Sequence, residues 1–269
     1  MLKQRIITAL ILAPVAMAGV FFLPPIEFSL FIGLILAVAA WEWANLAGYT
    51  GIYCYFYSAG IVILLVISWF VPPLFLLIPG ILWWCLALYL VVRYPQGAGL
   101  WSSTAVRSLF GVFMLIPGFI SLVQLKLMSG SEFLILLLFL FIRGADVGAY
   151  FFGRALGQGK LAPEVSPGKS WAGFYGGLIT ALVIAIVMAV VHGSPDLGSG
   201  RGIIFLLGCA FVVMISVVGD LAESMFKRNR GIKDSSNLLP GHGGILDRID
   251  SLLSAGPAFA LFILSFGWM

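Results

Sequence analysis

The sequence predicts an all-α fold, a polytopic transmembrane helical bundle of about nine spans. Three observations lead there. Of 269 residues, 61% are apolar and 10% charged, with a mean hydropathy of +1.10; soluble domains run nearer half apolar and a quarter charged. The apolar runs have the length of about 20 residues that a helix needs to cross a bilayer. They are continuous rather than alternating, which argues against a β-barrel. High hydrophobicity without a long polar tract also excludes disorder and leaves no room for a separate soluble domain.

The spans are expected over residues 6–23, 28–46, 53–71, 74–92, 106–125, 133–152, 173–191, 203–221 and 252–268. The first follows a basic start, Lys3-Gln4-Arg5, and Ala16-Met17-Ala18 mimics a signal-peptide cleavage site. Because the apolar run continues to Leu23 and more spans follow, it reads as a retained span. Pro24-Pro25, Pro72-Pro73 and Pro95 punctuate the early turns, since proline continues no helix past its first turn. The longest charged segments follow the sixth and eighth spans. Residues 1–100 are expected to form an N-terminal transmembrane region and residues 101–269 a C-terminal one, within a single membrane domain. GxxxG spacings at Gly153/Gly157 and Gly173/Gly177 suit close helix packing. Cys54, Cys85 and Cys209 lie far apart in apolar runs and read as packing residues, not a disulfide frame or zinc site.

Orientation follows from the basic residues. With the N-terminus in the cytoplasm, inward segments hold Lys3, Arg5, Arg93, Arg107, Arg154, Lys160, Lys169, Lys227, Arg228, Arg230, Lys233 and Arg248, 12 of the 15 Lys and Arg. The outward loops hold Lys126 and Arg201, as the positive-inside rule requires. The net charge of +4 is thus that of a bacterial-type inner-membrane protein with its polar face in the cytoplasm, and no nucleic-acid partner is expected.

Sixteen of the 26 charged residues lie within 143–173 and 220–250, both flanking inward loops. The basic ones fit the positive-inside rule; the acids need another reason. Asp220 ends an apolar helix, where a carboxylate is costly unless paired, hydrated or metal-bound. If that helix continues, Asp220, Glu223, Ser224 and Lys227 share a face. Asp247 and Asp250 are three apart at the start of the last span. Two roles suit them: helix-dipole partners with Arg248 as counter-ion, or oxygen ligands of a divalent metal bridging to substrate phosphates.

Phosphate is the anion that the basic residues fit. Lys227-Arg228, Arg230 and Lys233 precede Pro240-Gly241-His242-Gly243-Gly244, whose glycines let backbone N–H groups approach an anion. Ser166-Pro167-Gly168-Lys169-Ser170 offers a turn, a cation and two hydroxyls before a helix start. It is no Walker A loop: that pattern needs glycine at Pro163, and no strand is expected before it. Arg143 and Asp146, three apart in the sixth span, read as a buried ion pair. Glu42, between Trp41 and Trp43, reads as an interfacial anchor, as does His192. Trp171 and Tyr175 are the aromatics considered for stacking on a ligand, although packing at the bilayer interface accounts for them.

The run from Ser224 to Asp250, SMFKRNRGIKDSSNLLPGHGGILDRID, resembles the signature of the phosphatidate cytidylyltransferases (CDP-diacylglycerol synthases). Ser224, Lys227, Arg228, Lys233, Asp234, His242, Gly243, Gly244, Asp247, Arg248 and Asp250 all fit it. The upstream pattern with Asp146, Ser166, Gly168, Lys169 and Ser170 is also similar. The resemblance implies a polytopic enzyme, often dimeric, with its catalytic region in the C-terminal part (residues 101–269), that converts CTP and phosphatidic acid to CDP-diacylglycerol and pyrophosphate. It implies Mg²⁺ on Asp220 and Asp247, with Asp250 added here, and a second, monovalent cation such as K⁺. Lys169, Lys227, Arg228, Lys233 and Arg248 would then neutralise phosphates. A related CTP-dependent lipid kinase or archaeal-type lipid cytidylyltransferase is the near alternative. An ion or phosphate transporter, with charges through the bilayer depth, is the alternative of a different class.

Overall fold

Residues 2–193 and 195–267 are described by a computed structural model, and among them the chain forms nine α-helices. In order these are α1 (Leu2–Phe22), α2 (Pro25–Ala47), α3 (Ile52–Ser68), α4 (Leu74–Val92), α5 (Thr104–Leu127), α6 (Ser131–Leu156), α7 (Trp171–His192), α8 (Gly200–Arg230) and α9 (Leu246–Phe266). A 3₁₀ helix at Gln96–Trp101 leads into α5. Seven helices (α2 and α4–α9) are long and apolar enough to cross a membrane; α3 and the apolar stretch Leu10–Phe22 of α1 are shorter. The chain is an integral membrane protein. The expected end of the last span, residue 268, lies outside the described residues, as do the side chains of Lys3 and Arg5.

Local chemistry sets the helix ends. Pro25 occupies the first turn of α2 and Pro73 immediately precedes α4, positions where proline's missing N–H costs nothing. Ser103, Ser170 and Ser199 accept the N–H of Val106, Gly173 and Gly202; such caps are each worth about 1 kcal/mol. The last span begins at Leu246 rather than near residue 252, and α8 runs on past residue 221 to Arg230. The last turns of α8 and the first of α9 therefore form one wall of charged side chains.

Hydrogen bonds between distant segments identify the two ends of the bundle. At one end, Thr8 donates to the Pro240 carbonyl, Trp43 to the Arg107 carbonyl, Arg107 to Asn229, Arg228 to the Val165 carbonyl and Arg143 to the Arg248 carbonyl. At the other end, Lys126 donates to the Val20 carbonyl at 2.6 Å, and Arg201 reaches the carbonyls of Phe266 and Gly267. Successive helices thus run in alternating directions. The start of α1, the α2–α3 turn, the α4–α5 connection, the α6–α7 hairpin and the α8–α9 loop share one end. α5 is the most buried of the seven long helices, while Phe70, Phe75 and Val191 are among many large apolar side chains left on the outside, as suits a lipid-facing surface.

The all-α expectation holds for the bundle, and a small hairpin between α6 and α7 adds to it. Strands β1 (Lys160–Ala162) and β2 (Ser166–Ser170) pair antiparallel. The segment Gly168-Lys169-Ser170, read as having no strand before it, is itself the end of β2. Behind it α6 and α7 meet along their glycines, as the GxxxG spacing predicts. A Cβ on Gly173 would stand 2.9 Å from the Ala149 carbonyl oxygen, and one on Gly177 2.7 Å from that of Ala145, so backbones touch where side chains would otherwise separate them. Cys54 and Cys209 are buried, Cys85 is exposed, and all three are free.

Candidate active site

A cavity of about 420 Å³ opens where α6, α7, α8 and the hairpin converge. Phe174, Leu178, Val213 and Val217 give it apolar walls; Asp146, Arg154, Lys169 and Asp220 give it a charged part. Lys169, carried by β2, places Nζ 2.7 Å from Asp220 Oδ2 on α8; the two side chains are 26% and 34% exposed. Ser224 donates to the other Asp220 oxygen at 3.3 Å. Asp146 faces this pair from α6, within electrostatic reach of both. Its own pair with Arg143, 3.2 Å long, is exposed (55% and 54%) rather than buried as expected, because both side chains lie at the open end of the bundle.

Further along α8, toward its last turn, the charges interlock. Lys227 Nζ donates to Asp247 Oδ1 at 2.5 Å and lies 3.3 Å from Glu223 Oε1. Asp247 Oδ2 accepts from the Ser235 N–H and hydroxyl, both at 2.9 Å, and from the Gly244 N–H at 2.7 Å. Asp247 is 4% exposed and Lys227 is buried, so this lysine serves first as counter-ion to two protein carboxylates. Asp250 accepts from the Ser251 N–H at 2.7 Å and lies within electrostatic reach of Glu223, Asp220 and Lys227. The two polar segments that the sequence separates therefore join at one end of the bundle.

The glycine loop is organised differently from expectation. Two of its N–H groups are already engaged within the protein, that of His242 by the Leu239 carbonyl at 2.9 Å and that of Gly244 by Asp247. Leu239 in turn donates to the Gly243 carbonyl at 2.8 Å. Gly243 has φ +80°, the left-handed region that glycine adopts freely, and a Cβ there would meet Asp247 Oδ2 at 2.6 Å. His242 lies in the same loop, its Nδ1 buried without a hydrogen-bond partner among the described residues. Lys233, Asp234, Arg228 and Arg248 are exposed around the loop and the last turn of α8. Ser170 caps α7 through Gly173 while lining the cavity, Gly168 lines it too, and Ser166 sits at the opposite end of β2 from them. Trp171 and Tyr175 pair with each other at 6.0 Å and are not among the cavity-lining residues, whereas Tyr150 and Phe174 are.

One carboxylate changes role altogether. Glu42 of α2, read as an interfacial anchor, is 0% exposed. It accepts hydrogen bonds from the Ser236 hydroxyl (2.5 Å), the Ile245 N–H (3.0 Å) and the Leu246 N–H (2.6 Å), and Ser235 Oγ lies 3.3 Å from it. The first N–H groups of a helix have no partner within it, so a carboxylate is favoured there by geometry and dipole alike. Glu42 thus caps the start of α9, across most of the sequence. Glu223, noted in the sequence for its helix face only, is the other carboxylate missing from the expected site. A buried, charged position within an apolar helix was its available signal.

The residues fit a divalent cation in their chemistry. Five carboxylates (Asp146, Asp220, Glu223, Asp247, Asp250) stand within reach of three cations, Arg143, Lys169 and Lys227. Both Glu223 oxygens are buried without a well-formed hydrogen bond. Such hard oxygen donors in excess suit Mg²⁺. Among the described residues no three acidic, histidine or cysteine side chains already stand as a metal cluster; lysines stand between them.

Residues 3–266 match the cytidylyltransferase family. The chain is 50% identical to the phosphatidate cytidylyltransferase of Pseudomonas aeruginosa, over all of this chain and 99% of that one. It is 40% identical to the phosphatidate cytidylyltransferase of Haemophilus influenzae, over 97% of this chain and 98% of the other. The protein of that name from Bacillus subtilis is 44% identical over 46% of this chain and 44% of its own length.

Proposed function

The chain belongs to the cytidylyltransferase family, and from that premise we propose that it transfers the cytidylyl group of CTP to phosphatidic acid, giving CDP-diacylglycerol and pyrophosphate for phospholipid synthesis. One observation carries the reading beyond family membership: a cavity with apolar walls within the bundle and Lys169 paired to Asp220 in its charged part. That combination suits a lipid whose acyl chains stay in the bilayer while its phosphate meets a water-borne nucleotide.

In the proposed reaction a phosphomonoester oxygen of phosphatidate attacks the α-phosphorus of CTP. A phosphorus–oxygen bond forms as the one to the β-phosphate's bridging oxygen breaks, and its electron pair leaves with pyrophosphate. The attacking oxygen is already ionised near neutral pH, so no strong base is needed; the barrier is to hold two anions together and in line. Lys169 and Arg154 would neutralise phosphate oxygens in the cavity, and Arg228, Lys233 and Arg248, exposed around the α8–α9 loop, would add positive charge at the same end of the bundle. Asp220, Asp250 and Oδ1 of Asp247 would hold Mg²⁺, which when bound supplies neutralisation of the transferring phosphate.

We also propose that all nine helices cross the bilayer, with the N-terminus and the site on the cytoplasmic side of a bacterial inner membrane. Thr8 bonding at the site end and the Val20 carbonyl bonding at the other support a full traverse by α1. The crowding of Lys and Arg at the site end supports the orientation. A transporter reading has less support, since the ionisable groups gather at one end instead of following a path.

The test is direct. Purified protein given CTP, Mg²⁺ and phosphatidate releases pyrophosphate only when the lipid is present, and mass spectrometry finds CDP-diacylglycerol. A product bearing an added phosphate, with CDP released, identifies a lipid kinase instead. No pyrophosphate with any phospholipid acceptor overturns the proposal. Replacing K⁺ by choline in the same assay decides the monovalent cation.

A further inference from the structure

We propose that Glu42, on a helix that contributes nothing to the cavity lining, is a positioning residue for cytidylyl transfer, acting through the α8–α9 loop on Asp247; this rests on the functional reading above. The segment between Gly231 and Ile245 contains turns and one isolated bridge, Leu239 with Gly243. Little in its own backbone fixes its shape. Two buried carboxylates do so from opposite sides. Asp247 takes the N–H groups of Ser235 and Gly244, while Glu42 takes the Ser236 hydroxyl and the N–H groups of Ile245 and Leu246.

Ser235 stands between them. Its hydroxyl oxygen is 2.9 Å from Asp247 Oδ2 and 3.3 Å from Glu42 Oε2. One hydroxyl carries one proton, so it serves one carboxylate at a time. Gly244 is pressed into the same spot: a Cβ on it would collide with Ser235 Oγ and with Glu42 Oε1. The consequence is a division of labour. With Glu42 holding the rear of the loop and the start of α9, Asp247 commits only Oδ2 to the loop and keeps Oδ1 turned to Lys227. Without that hold the first turn of α9 loses its acceptor, and Asp247 becomes the nearest carboxylate able to replace it. Its Oδ1 is then no longer set against Lys227 and the place proposed for Mg²⁺.

Glu42→Gln is the decisive variant. It keeps the shape, but turns an amide NH₂ toward N–H donors that need an acceptor. Hydrogen bonds to a charged group of this kind correspond to about 10- to 100-fold in rate when they act in the transition state. The experiment compares wild type, Glu42→Gln, Glu42→Asp and the control Glu27→Gln, an exposed glutamate at the far end of the same helix. Steady-state kinetics with CTP and phosphatidate is run beside amide hydrogen exchange of residues 235–247 and thermal unfolding.

The expected result is a kcat lowered about 10- to 100-fold in Glu42→Gln with KM for CTP within about threefold. Exchange at Ile245 and Leu246 rises, Glu42→Asp recovers part of the rate, and Glu27→Gln matches wild type. Wild-type kcat in Glu42→Gln overturns the proposal, and so does a loss that merely tracks the fraction of unfolded protein. Wild type that makes no CDP-lipid overturns the functional reading itself. The exchange data then still report whether Glu42 holds the loop, so the two failures are told apart.

Discussion

Lys169 on β2 and Asp220 on α8 are joined by an ion pair of 2.7 Å in the charged part of the cavity. Each is about a third exposed or less, so as a structural pair it contributes little, about 1 kcal/mol or below. Under the proposed function it keeps the cation that would meet phosphate and the carboxylate that would meet Mg²⁺ in mutual check until substrates arrive. Lys169→Met should therefore lower kcat/KM for CTP by about 100-fold or more while leaving the thermal unfolding temperature close to wild type. Steady-state kinetics and unfolding in the same detergent check both halves of that statement.

Lys227 serves two carboxylates, and that sets an order among variants. Lys227→Met strands both Glu223 and Asp247, whereas Asp247→Asn leaves Lys227 paired with Glu223. Breaking a buried pair costs about 3–5 kcal/mol, and the lysine variant should lie at or above that range. Asp247→Asn should lose turnover entirely with a smaller, still measurable drop in stability, because Ser235 and Gly244 lose a charged acceptor. Denaturation in one detergent system ranks the two; an Asp247→Asn protein less stable than Lys227→Met contradicts the assignment.

The α6–α7 seam gives a prediction about packing alone. A methyl group on Gly177 meets the Ala145 carbonyl oxygen, while one on Gly60 of α3 meets nothing within 4 Å. Gly177→Ala should destabilise by about 1–3 kcal/mol and narrow the cavity it lines. Gly60→Ala should be neutral or slightly stabilising, since alanine favours the helix by about 1 kcal/mol. Thermal unfolding and CTP turnover of the two proteins measure the contrast.

Orientation can be read by labelling. In a background with Cys54, Cys85 and Cys209 replaced, Asp196→Cys should react with a membrane-impermeant maleimide on intact bacterial spheroplasts. Lys233→Cys should react only after permeabilisation. Both positions are exposed and lie at opposite ends of the bundle. The reverse pattern would place the site on the outer side.

The sequence carried most of the architecture because hydrophobic runs, proline breaks and glycine spacing are local signals. Pro25 and Pro73 lie where helices begin, and the spacing of Gly173 and Gly177 marks where α7 touches α6. The gathering of Asp220, Asp247 and Lys169 was legible from charge, since acids in an apolar chain need a shared reason. Other features were hidden for physical causes. Strands of three and five residues containing Pro167 and Gly168 are too short and too poor in β-forming residues to show a period of two. Whether Arg143 and Asp146 are buried depends on how neighbouring helices end. Glu42 looked like a rim residue between two tryptophans because its partners, Ser236, Ile245 and Leu246, come near it only once the bundle has closed.

The reach of Glu42 and Thr8 to the α8–α9 loop bears on any attempt to dissect or graft this protein. A fragment starting near residue 100 would carry every cavity-lining residue and still leave the start of α9 bare. Transplanting the later helices onto the early helices of a distant homologue should yield an inert chimaera unless the donor supplies a glutamate at the matching turn.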